Sequence, residues 1–188
     1  MQTYEHSGVK NLFLVILIGV SFAFSAFSQE TKVALTDSVN RADSIPSIPK
    51  RDAKSAKQIN EMISFAKTFL GTPYRYGGNA PSGFDCSGFI GYITKGFGIS
   101  LPRSSRDIAL LGKTVKLSEV EPGDLLFFKG SNVNNPTVGH VAMVIEVNDD
   151  EIKMIHSENK GVIIQNFKTS KYYIARFIKA KRMEYSKP

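Results

Sequence analysis

The sequence predicts an α+β domain in which helices come first along the chain and antiparallel strands follow. In three segments between residues 57 and 111, apolar side chains recur every three or four positions, which is the spacing of amphipathic helices. After residue 121 the pattern changes to short runs rich in valine, isoleucine and phenylalanine, separated by turn residues, as is typical of strands. We therefore expect N-terminal helices packed on an antiparallel meander sheet of about five to six strands.

The chain begins with the features of an export signal. Residues 12–24 carry no charge, Lys10 precedes them, and the small residues Ala26 and Ser28 follow. We predict a signal peptide at residues 1–28, with cleavage after Ser28. An uncleaved membrane anchor is the alternative, although thirteen apolar residues are short for a span of about 20.

The rest of the chain divides into a polar segment and a folded domain. Residues 29–56 are polar, include two prolines and lack a helical or strand period, so we interpret them as a flexible tether to a domain at residues 57–188. An export signal places the protein in the periplasm or cell envelope, or outside the cell. The net charge of +7 then favours an anionic partner such as a cell-wall polymer or membrane surface, and export argues against nucleic acid.

The C-terminal part of the domain is strongly basic. One acid, Glu184, stands against seven bases: Lys168, Lys171, Arg176, Lys179, Lys181, Arg182 and Lys187. Two interpretations are open, a weak contact with an anionic wall or membrane surface, and the solvated face of an edge strand. We prefer the edge strand, because it is the more common reason for such charges.

The helices are expected in three places. The first runs from about Lys57 to Gly71, because six apolar residues share one face: Ile59, Met62, Ile63, Ala66, Phe69 and Leu70. A loop rich in glycine and proline follows, and Asp85 is a candidate N-cap for a second helix that ends near Gly96. A short third helix with a serine cap is expected before Gly112.

The strands are expected at residues 125–128, 138–147, 152–156, 162–167 and 173–180. The turn sequence Asn148-Asp149-Asp150 joins the second and third of these strands into a hairpin. We expect a further hairpin between the last two strands. The second helix should pack against one face of the sheet.

Cys86, the only cysteine in the chain, lies where the loop becomes the first turn of the second helix. A single thiol forms no internal disulfide, so Cys86 is either a small buried residue or a reactive one. Unpaired N–H groups and the helix dipole favour a thiolate at this position, so we expect a pKa below the ordinary value of about 8.5. We interpret Cys86 as a nucleophile.

Two histidines supply the proton transfer that a thiol nucleophile needs. His140 and His156 lie at the same end of the predicted hairpin, within one or two residue pairs of each other on strands about 4.8 Å apart. In this interpretation Cys86 attacks, His140 moves the proton, and His156 orients His140 and favours its charged form. Zinc binding by the three residues is the alternative. The chain lacks a close-spaced Cys/His pair of the usual kind, so we expect no metal and no organic cofactor.

Five motifs in order resemble the NlpC/P60 family of cell-wall cysteine peptidases, which have a papain-like fold. They are Gly-Thr-Pro-Tyr-Arg-Tyr-Gly-Gly, Asp-Cys-Ser-Gly-Phe, Leu-Pro-Arg-Ser-Ser, Pro-Gly-Asp-Leu-Leu-Phe-Phe and Gly-His-Val-Ala-Met-Val, and they extend the resemblance over residues 60–182. The resemblance implies a catalytic triad, which Cys86, His140 and His156 fill here. It also implies that Tyr74 stabilises the oxyanion together with the Cys86 N–H.

The family also implies a substrate class, the stem peptides of peptidoglycan, cut between D-γ-glutamate and a diamino acid such as meso-diaminopimelate. Asp85 and Ser87 are candidate binders of a free amine on the substrate, and helix capping by Asp85 is an alternative that coexists with binding. Arg103 and Arg75 are candidates for a substrate carboxylate, or are solvated surface residues. Many wall hydrolases of this kind carry a wall-binding module, and here we expect only the tether.

The sequence thus predicts an exported cysteine peptidase that cleaves peptidoglycan stem peptides through an acyl-enzyme. Two alternatives stay open: an amidase or an acyl- or peptidyl-transferase on the same scaffold, and a non-catalytic wall-binding protein. The sequence carries no signal of an oligomeric state.

Overall fold

The computed structural model describes residues 51–185. The predicted signal peptide and the predicted tether up to residue 50 lie outside the described residues. The helices, in chain order, are α1 (Ala53–Lys67), α2 (Cys86–Gly96), α3 (Ser105–Ile108) and α4 (Lys171–Ile174). The strands are β1 (Asn79–Ala80), β2 (Gly83–Phe84), β3 (Lys113–Val115), β4 (Leu125–Lys129), β5 (Val138–Val147), β6 (Ile152–Glu158), β7 (Gly161–Asn166) and β8 (Phe177–Arg182). None of the helices in this part of the chain is long and apolar enough to span a membrane.

Helix α1 begins earlier and ends earlier than the apolar pattern predicts. It starts at Ala53 instead of near Lys57, because the Asp52 carboxylate accepts a 2.7 Å hydrogen bond from the Ser55 N–H and caps the first turn. It ends at Lys67, and turns carry the chain on towards Gly71. Its buried residues are those predicted for this part of the helix: Ile59, Met62, Ile63 and Ala66.

Strands β3 to β8 form an antiparallel six-stranded sheet in the order β3-β8-β4-β5-β6-β7. The α+β class is therefore confirmed, and β4 to β7 form the predicted meander. The hairpin between β5 and β6 turns at Asn148, whose side-chain oxygen accepts hydrogen bonds from the N–H groups of Asp150 and Glu151.

The predicted hairpin between residues 162–167 and 173–180 is wrong. Strand β7 pairs with β6, whereas β8 lies between β3 and β4, with Ala180 opposite both Val115 and Leu126. The reason lies in Ser170, whose hydroxyl accepts a hydrogen bond from the Tyr173 N–H and so begins α4 where a strand was expected. The chain then crosses from one edge of the sheet to its interior.

The interpretation of the basic C-terminal segment as an edge strand is also wrong, because β8 has a partner on each side. Arg182 is only 7% exposed and donates hydrogen bonds to both carboxylate oxygens of Asp124. Lys181 donates to the Gly112 carbonyl, and Lys168 donates to the Asp149 carbonyl. Part of the positive charge thus holds the fold together.

Helix α2 packs against the sheet as predicted. Phe89, Ile90 and Ile93 are fully buried and share a core with Val141 and Met143 of β5. Each side chain of this size contributes about 2 kcal/mol when it is removed from water. This packing holds the first turn of α2 close to β5, where the candidate site forms.

Candidate active site

Cys86 is the first residue of α2, and Asp85 is its N-cap, as predicted. The Asp85 carboxylate accepts a 2.6 Å hydrogen bond from the Gly88 N–H, and the Asp85 N–H donates to the Gly78 carbonyl at 2.9 Å. A Cβ at Gly88 would overlap the Gly78 carbonyl oxygen, so only glycine lets the loop approach the helix here. The loop and the helix together fix the direction of the Cys86 side chain.

The thiol of Cys86 is buried, with 9% of the residue exposed. Burial raises its pKa above the ordinary value, and the negative charge of Asp85 acts in the same direction. Backbone hydrogen bonds from Val141 and Ser87 oppose this rise only in part. The predicted low pKa is therefore wrong, because desolvation and a neighbouring carboxylate outweigh the helix terminus, and Cys86 carries a thiol at neutral pH.

The two histidines meet on the hairpin of β5 and β6, as predicted. The Nε2 atom of His140 lies 3.1 Å from Nδ1 of His156, and the rings are nearly perpendicular at 85°. Val141, whose backbone hydrogen-bonds the thiol, directly follows His140 on β5, so the Cys86 thiol at the start of α2 lies against the part of β5 that carries His140. Gly139 is required on the other side, since a Cβ there would lie 2.6 Å from the Gly130 Cα.

Both imidazoles are neutral at physiological pH. Burial, with a contribution from His156, lowers the pKa of His140 to about 3, and burial lowers that of His156 to about 4. His156 therefore disfavours the charged form of His140, and the opposite expectation is wrong. The reason is that the neighbour is a second titratable base and not a carboxylate. The resting pair is a thiol with a neutral imidazole.

The hydrogen bond between the rings decides which nitrogens carry protons. If His140 accepts the thiol proton on Nδ1, its Nε2 carries hydrogen and donates to Nδ1 of His156, whose own proton is then on Nε2. That Nε2 is buried and has no hydrogen-bond partner among residues 51–185. Gln165 lies close enough to raise the pKa of His156, and its amide nitrogen contacts the Ser170 hydroxyl at 3.3 Å.

Sequence reasoning missed two neighbours of the histidine pair. The Tyr173 hydroxyl lies 3.5 Å from Nδ1 of His156, and burial raises the pKa of this tyrosine. Gln165 stands opposite Met154, and so on the same face as His156. The alternation of β7 indicates Gln165 only once the register of β7 against β6 is known, and the sequence does not give that register. Tyr173 carried no such signal, because it belongs to the unpredicted helix α4.

The other predicted site residues are brought together with one exception. Arg103 contacts Asp85 through both carboxylate oxygens, at 2.5 and 3.0 Å, and contacts the Ser87 hydroxyl at 3.0 Å. Burial alone would raise the pKa of Asp85, but the hydrogen bonds from Arg103 and the Gly88 N–H lower it. Tyr74 lines a cavity beside His140. Arg75 is exposed and lines none of the cavities described below.

Two cavities are lined by residues of the candidate site. A groove of about 670 Å³ follows α2 and is lined by Ser87, Gly88 and Arg103, with Lys95 further along. A smaller pocket of about 230 Å³ is lined by His140 and, among others, by Gly139, Tyr74 and Tyr173. Within residues 51–185, no group of three or more His, Cys, Asp or Glu side chains is arranged to hold a metal ion.

Replacing His156 with asparagine is expected to lower kcat/KM by about a hundredfold, because His140 loses the partner that holds its tautomer. The pH profile should change as well. With a pKa of about 3 for His140, the wild type keeps a neutral base and a flat profile from about pH 5 to pH 8. Without His156 that pKa rises, so activity on the acid side is lost at a higher pH.

The check is kcat/KM between pH 4 and pH 9, with Thr169→Ala, in an exposed turn, as the control. An acid limb that does not move in His156→Asn would contradict the assigned contact.

A buried thiol beside a hydrogen-bonded imidazole pair is the arrangement of cysteine-dependent acyl transfer, in which a base activates the nucleophile and a third group orients the base. The chain belongs to the NlpC/P60 family, whose model matches residues 71–182.

Similar proteins are known among enzymes and solved structures. The chain is 39% identical over 142 residues to the gamma-DL-glutamyl hydrolase of Bacillus subtilis, covering 74% of this chain and 33% of that protein. It is 35% identical over 127 residues to the gamma-D-glutamyl-L-lysine dipeptidyl-peptidase of the same species, covering 68% and 40%. A crystal structure of an NlpC/P60 family protein from Bacillus cereus matches with a TM-score of 0.59 and 35% identity, covering 72% of this chain and 41% of that one. The chain thus spans about a third to two fifths of the length of the two curated relatives.

Proposed function

We propose that this protein is a cysteine peptidase that hydrolyses peptidoglycan stem peptides after a γ-linked D-glutamate. The observation that carries the proposal is the hydrogen-bonded pair of His140 and His156 next to Cys86 at the start of α2. Family membership supports it, and the names of both Bacillus subtilis relatives specify a γ-glutamyl group.

The proposed reaction proceeds through a thioester. His140 takes the thiol proton on Nδ1 as the Cys86 sulfur attacks the carbonyl carbon. The oxyanion is stabilised by the Cys86 N–H, which has no acceptor within the helix, and by the Tyr74 hydroxyl. His140 then protonates the leaving amine, and the C–N bond breaks. Water enters, gives a proton to His140, and hydrolyses the thioester to a free carboxylic acid and the thiol.

The low proton affinity of His140 keeps its imidazole neutral before the attack. A base with a pKa of about 3 does not hold the proton in the resting state, so the charged pair forms only during attack. His140 is therefore a strong acid towards the leaving amine once it is charged. His156, placed 3.1 Å away, holds the ring in position throughout.

The acyl part of the substrate is assigned to the groove along α2. A γ-linked D-glutamate keeps its α-carboxylate free, and the groove presents the cations Arg103 and Lys95 with no acidic residue among those that line it. Arg103 is 46% exposed in its side chain and is held in place by Asp85. The Ser87 hydroxyl donates to Asp85 and accepts from Arg103, so it helps to hold the guanidinium in place. Asp85 already accepts hydrogen bonds on both oxygens, so its first role is to position Arg103 and cap α2.

We propose that the protein works in the cell envelope after export by the signal peptide at residues 1–28. Contact of its basic surface with the anionic wall is part of this proposal, and Lys95 and Arg103 place positive charge at the groove itself.

The experiment incubates the full chain, as wild type and as Cys86→Ala, with purified peptidoglycan and with isolated stem peptides. Mass spectrometry of the soluble products identifies the bond. We expect fragments that end at D-glutamate from the wild type alone. Products that form only when an acceptor amine is added would identify a transferase. If both proteins sediment with the wall and neither releases fragments, the chain is a binding protein.

A further inference from the structure

One buried nitrogen of the site has no role in the proposed mechanism. Nδ1 of His156 faces Nε2 of His140 at 3.1 Å, whereas Nε2 of His156 is buried and has no hydrogen-bond partner among residues 51–185. A buried polar atom is costly to leave without a partner, and native structures rarely contain one. We therefore expect a neighbouring group to complete this atom.

Gln165 is a polar side chain that approaches His156 from β7. It stands opposite Met154 and so lies on the same face of the sheet as His156. Burial lowers the pKa of His156, and hydrogen bonding by Gln165 opposes that effect. A neighbour that raises this pKa stabilises the protonated ring by accepting from an N–H group, whereas a donor would lower it. In a glutamine amide the acceptor is the carbonyl oxygen.

Ser170 sets the orientation of the Gln165 amide. The amide nitrogen contacts the Ser170 hydroxyl at 3.3 Å, and this hydroxyl also accepts the Tyr173 N–H as the N-cap of α4. Ser170 is 9% exposed, so water competes little for its oxygen. Because the amide nitrogen is held there, the carbonyl oxygen of Gln165 is the end left to face His156.

The orientation of this amide decides which nitrogen of each ring carries hydrogen. An acceptor at Nε2 of His156 keeps the proton there, so Nδ1 of His156 accepts from Nε2 of His140, and Nδ1 of His140 is free to take the thiol proton. A reversed amide would donate to Nε2 of His156. His156 would then donate from Nδ1 to His140, whose own proton on Nδ1 would block the base. The Tyr173 hydroxyl, 3.5 Å from Nδ1 of His156, can donate or accept, so it favours neither state.

We propose that Gln165 is a positioning residue that holds both imidazoles in the tautomer that can accept the thiol proton. Its carbonyl oxygen accepts the Nε2–H of His156 after a small rotation of the side chain, and Ser170 keeps the amide from reversing. Gln165 thus acts through His156 on His140, which lies two strands away on β5. The effect on turnover rests on the proposed function, whereas the effect on the tautomers does not.

The test determines the tautomers directly, by nuclear magnetic resonance of the full chain with histidine labelled by nitrogen-15. Two-bond proton–nitrogen correlation spectra show which nitrogen of each ring carries hydrogen at neutral pH, where both rings are uncharged. We expect Nε2–H on His140 and on His156 in the wild type. Gln165→Met keeps the length of the side chain and removes the amide. It should give a mixture of tautomers and lower kcat about tenfold with little change in KM, the effect of losing one hydrogen bond of ordinary net strength.

Ile164→Met is the matched control, because it places the same side chain at the neighbouring, exposed position of β7. It should keep the wild-type tautomers and kcat. Nδ1–H on His156 in the wild type would overturn the proposal, and this spectrum decides even if Gln165→Met does not fold. Unchanged tautomers in a folded Gln165→Met would also overturn it, whatever the change in stability to urea. Cleavage is measured separately: if the tautomers change as expected but the wild type does not hydrolyse stem peptides, only the proposed function fails.

Discussion

Replacing Cys86 with alanine is expected to reduce the proposed stem-peptide hydrolysis by about 10⁴-fold or more, because the variant cannot form the thioester. Cys86→Ser should be nearly as inactive. A serine hydroxyl loses its proton far less readily than a thiol, and a base with a pKa of about 3 does not compensate. The measurement is kcat/KM on a defined stem peptide, with products separated by chromatography.

Urea unfolding is the control for folding. Both variants should unfold at nearly the same urea concentration as the wild type. Alkylation of the wild type supplies a second readout. Since burial raises the pKa of the Cys86 thiol, its rate of reaction with iodoacetamide should keep increasing above the pH at which an ordinary cysteine levels off. A Cys86→Ala variant that retains more than about 1% of wild-type activity would remove this residue from the nucleophile role.

Replacing Asp124 with alanine is expected to lower the free energy of unfolding by about 3–5 kcal/mol, the usual cost of breaking a buried ion pair. Asp124 is fully buried and accepts hydrogen bonds from Arg51 at 2.8 Å, from Arg182 at 3.0 and 3.1 Å, and from the Glu121 N–H at 2.8 Å. The substitution leaves two nearly buried guanidinium groups without their carboxylate. Urea unfolding followed by circular dichroism measures the loss.

An exposed ion pair near the same strand provides the comparison. Glu184 lies 3.3 Å from Lys113, and both side chains are mostly exposed, so Glu184→Ala should cost no more than about 0.5 kcal/mol. If Asp124→Ala lowered the free energy of unfolding as little as Glu184→Ala, the ion pairs of Asp124 with Arg51 and Arg182 would not be what holds the segment before α1 and strand β8 to the turn at Asp124. If the alanine variant does not fold, Asp124→Asn replaces it in the test. We expect a smaller decrease in the free energy of unfolding for Asp124→Asn, because the amide keeps part of the hydrogen bonding.

Much of the site followed from local signals. Asp85 is recognisable as an N-cap from its position before an apolar helical pattern, and capping acts over three residues. The meeting of His140 and His156 follows from a single hairpin whose turn is visible in the sequence. Both inferences need contacts only between residues close along the chain, which composition and periodicity describe well.

Two predictions were wrong because the electrostatic effect of a local pattern depends on residues far away along the chain. The basic C-terminal segment looked like a solvated edge, yet Arg182 is held by an aspartate 58 positions away. The thiol of Cys86 looked like a stabilised thiolate, yet burial under β5 raises its pKa. In both cases the local pattern was recognised correctly, and the surroundings that decide its electrostatic effect came from elsewhere in the chain.

The sequence by itself determined helices α1 to α3, strands β4 to β7, the capped cysteine and the hairpin that joins the two histidines, because each depends on steric and hydrogen-bonding rules over a few residues. Only the tertiary structure decided the position of β8 inside the sheet, the buried cluster around Asp124 and the neutral state of Cys86, His140 and His156. These depend on which distant segments exclude water from one another. Desolvation, which sets both the pKa values and the cost of an unpaired charge, exists only once the chain is folded.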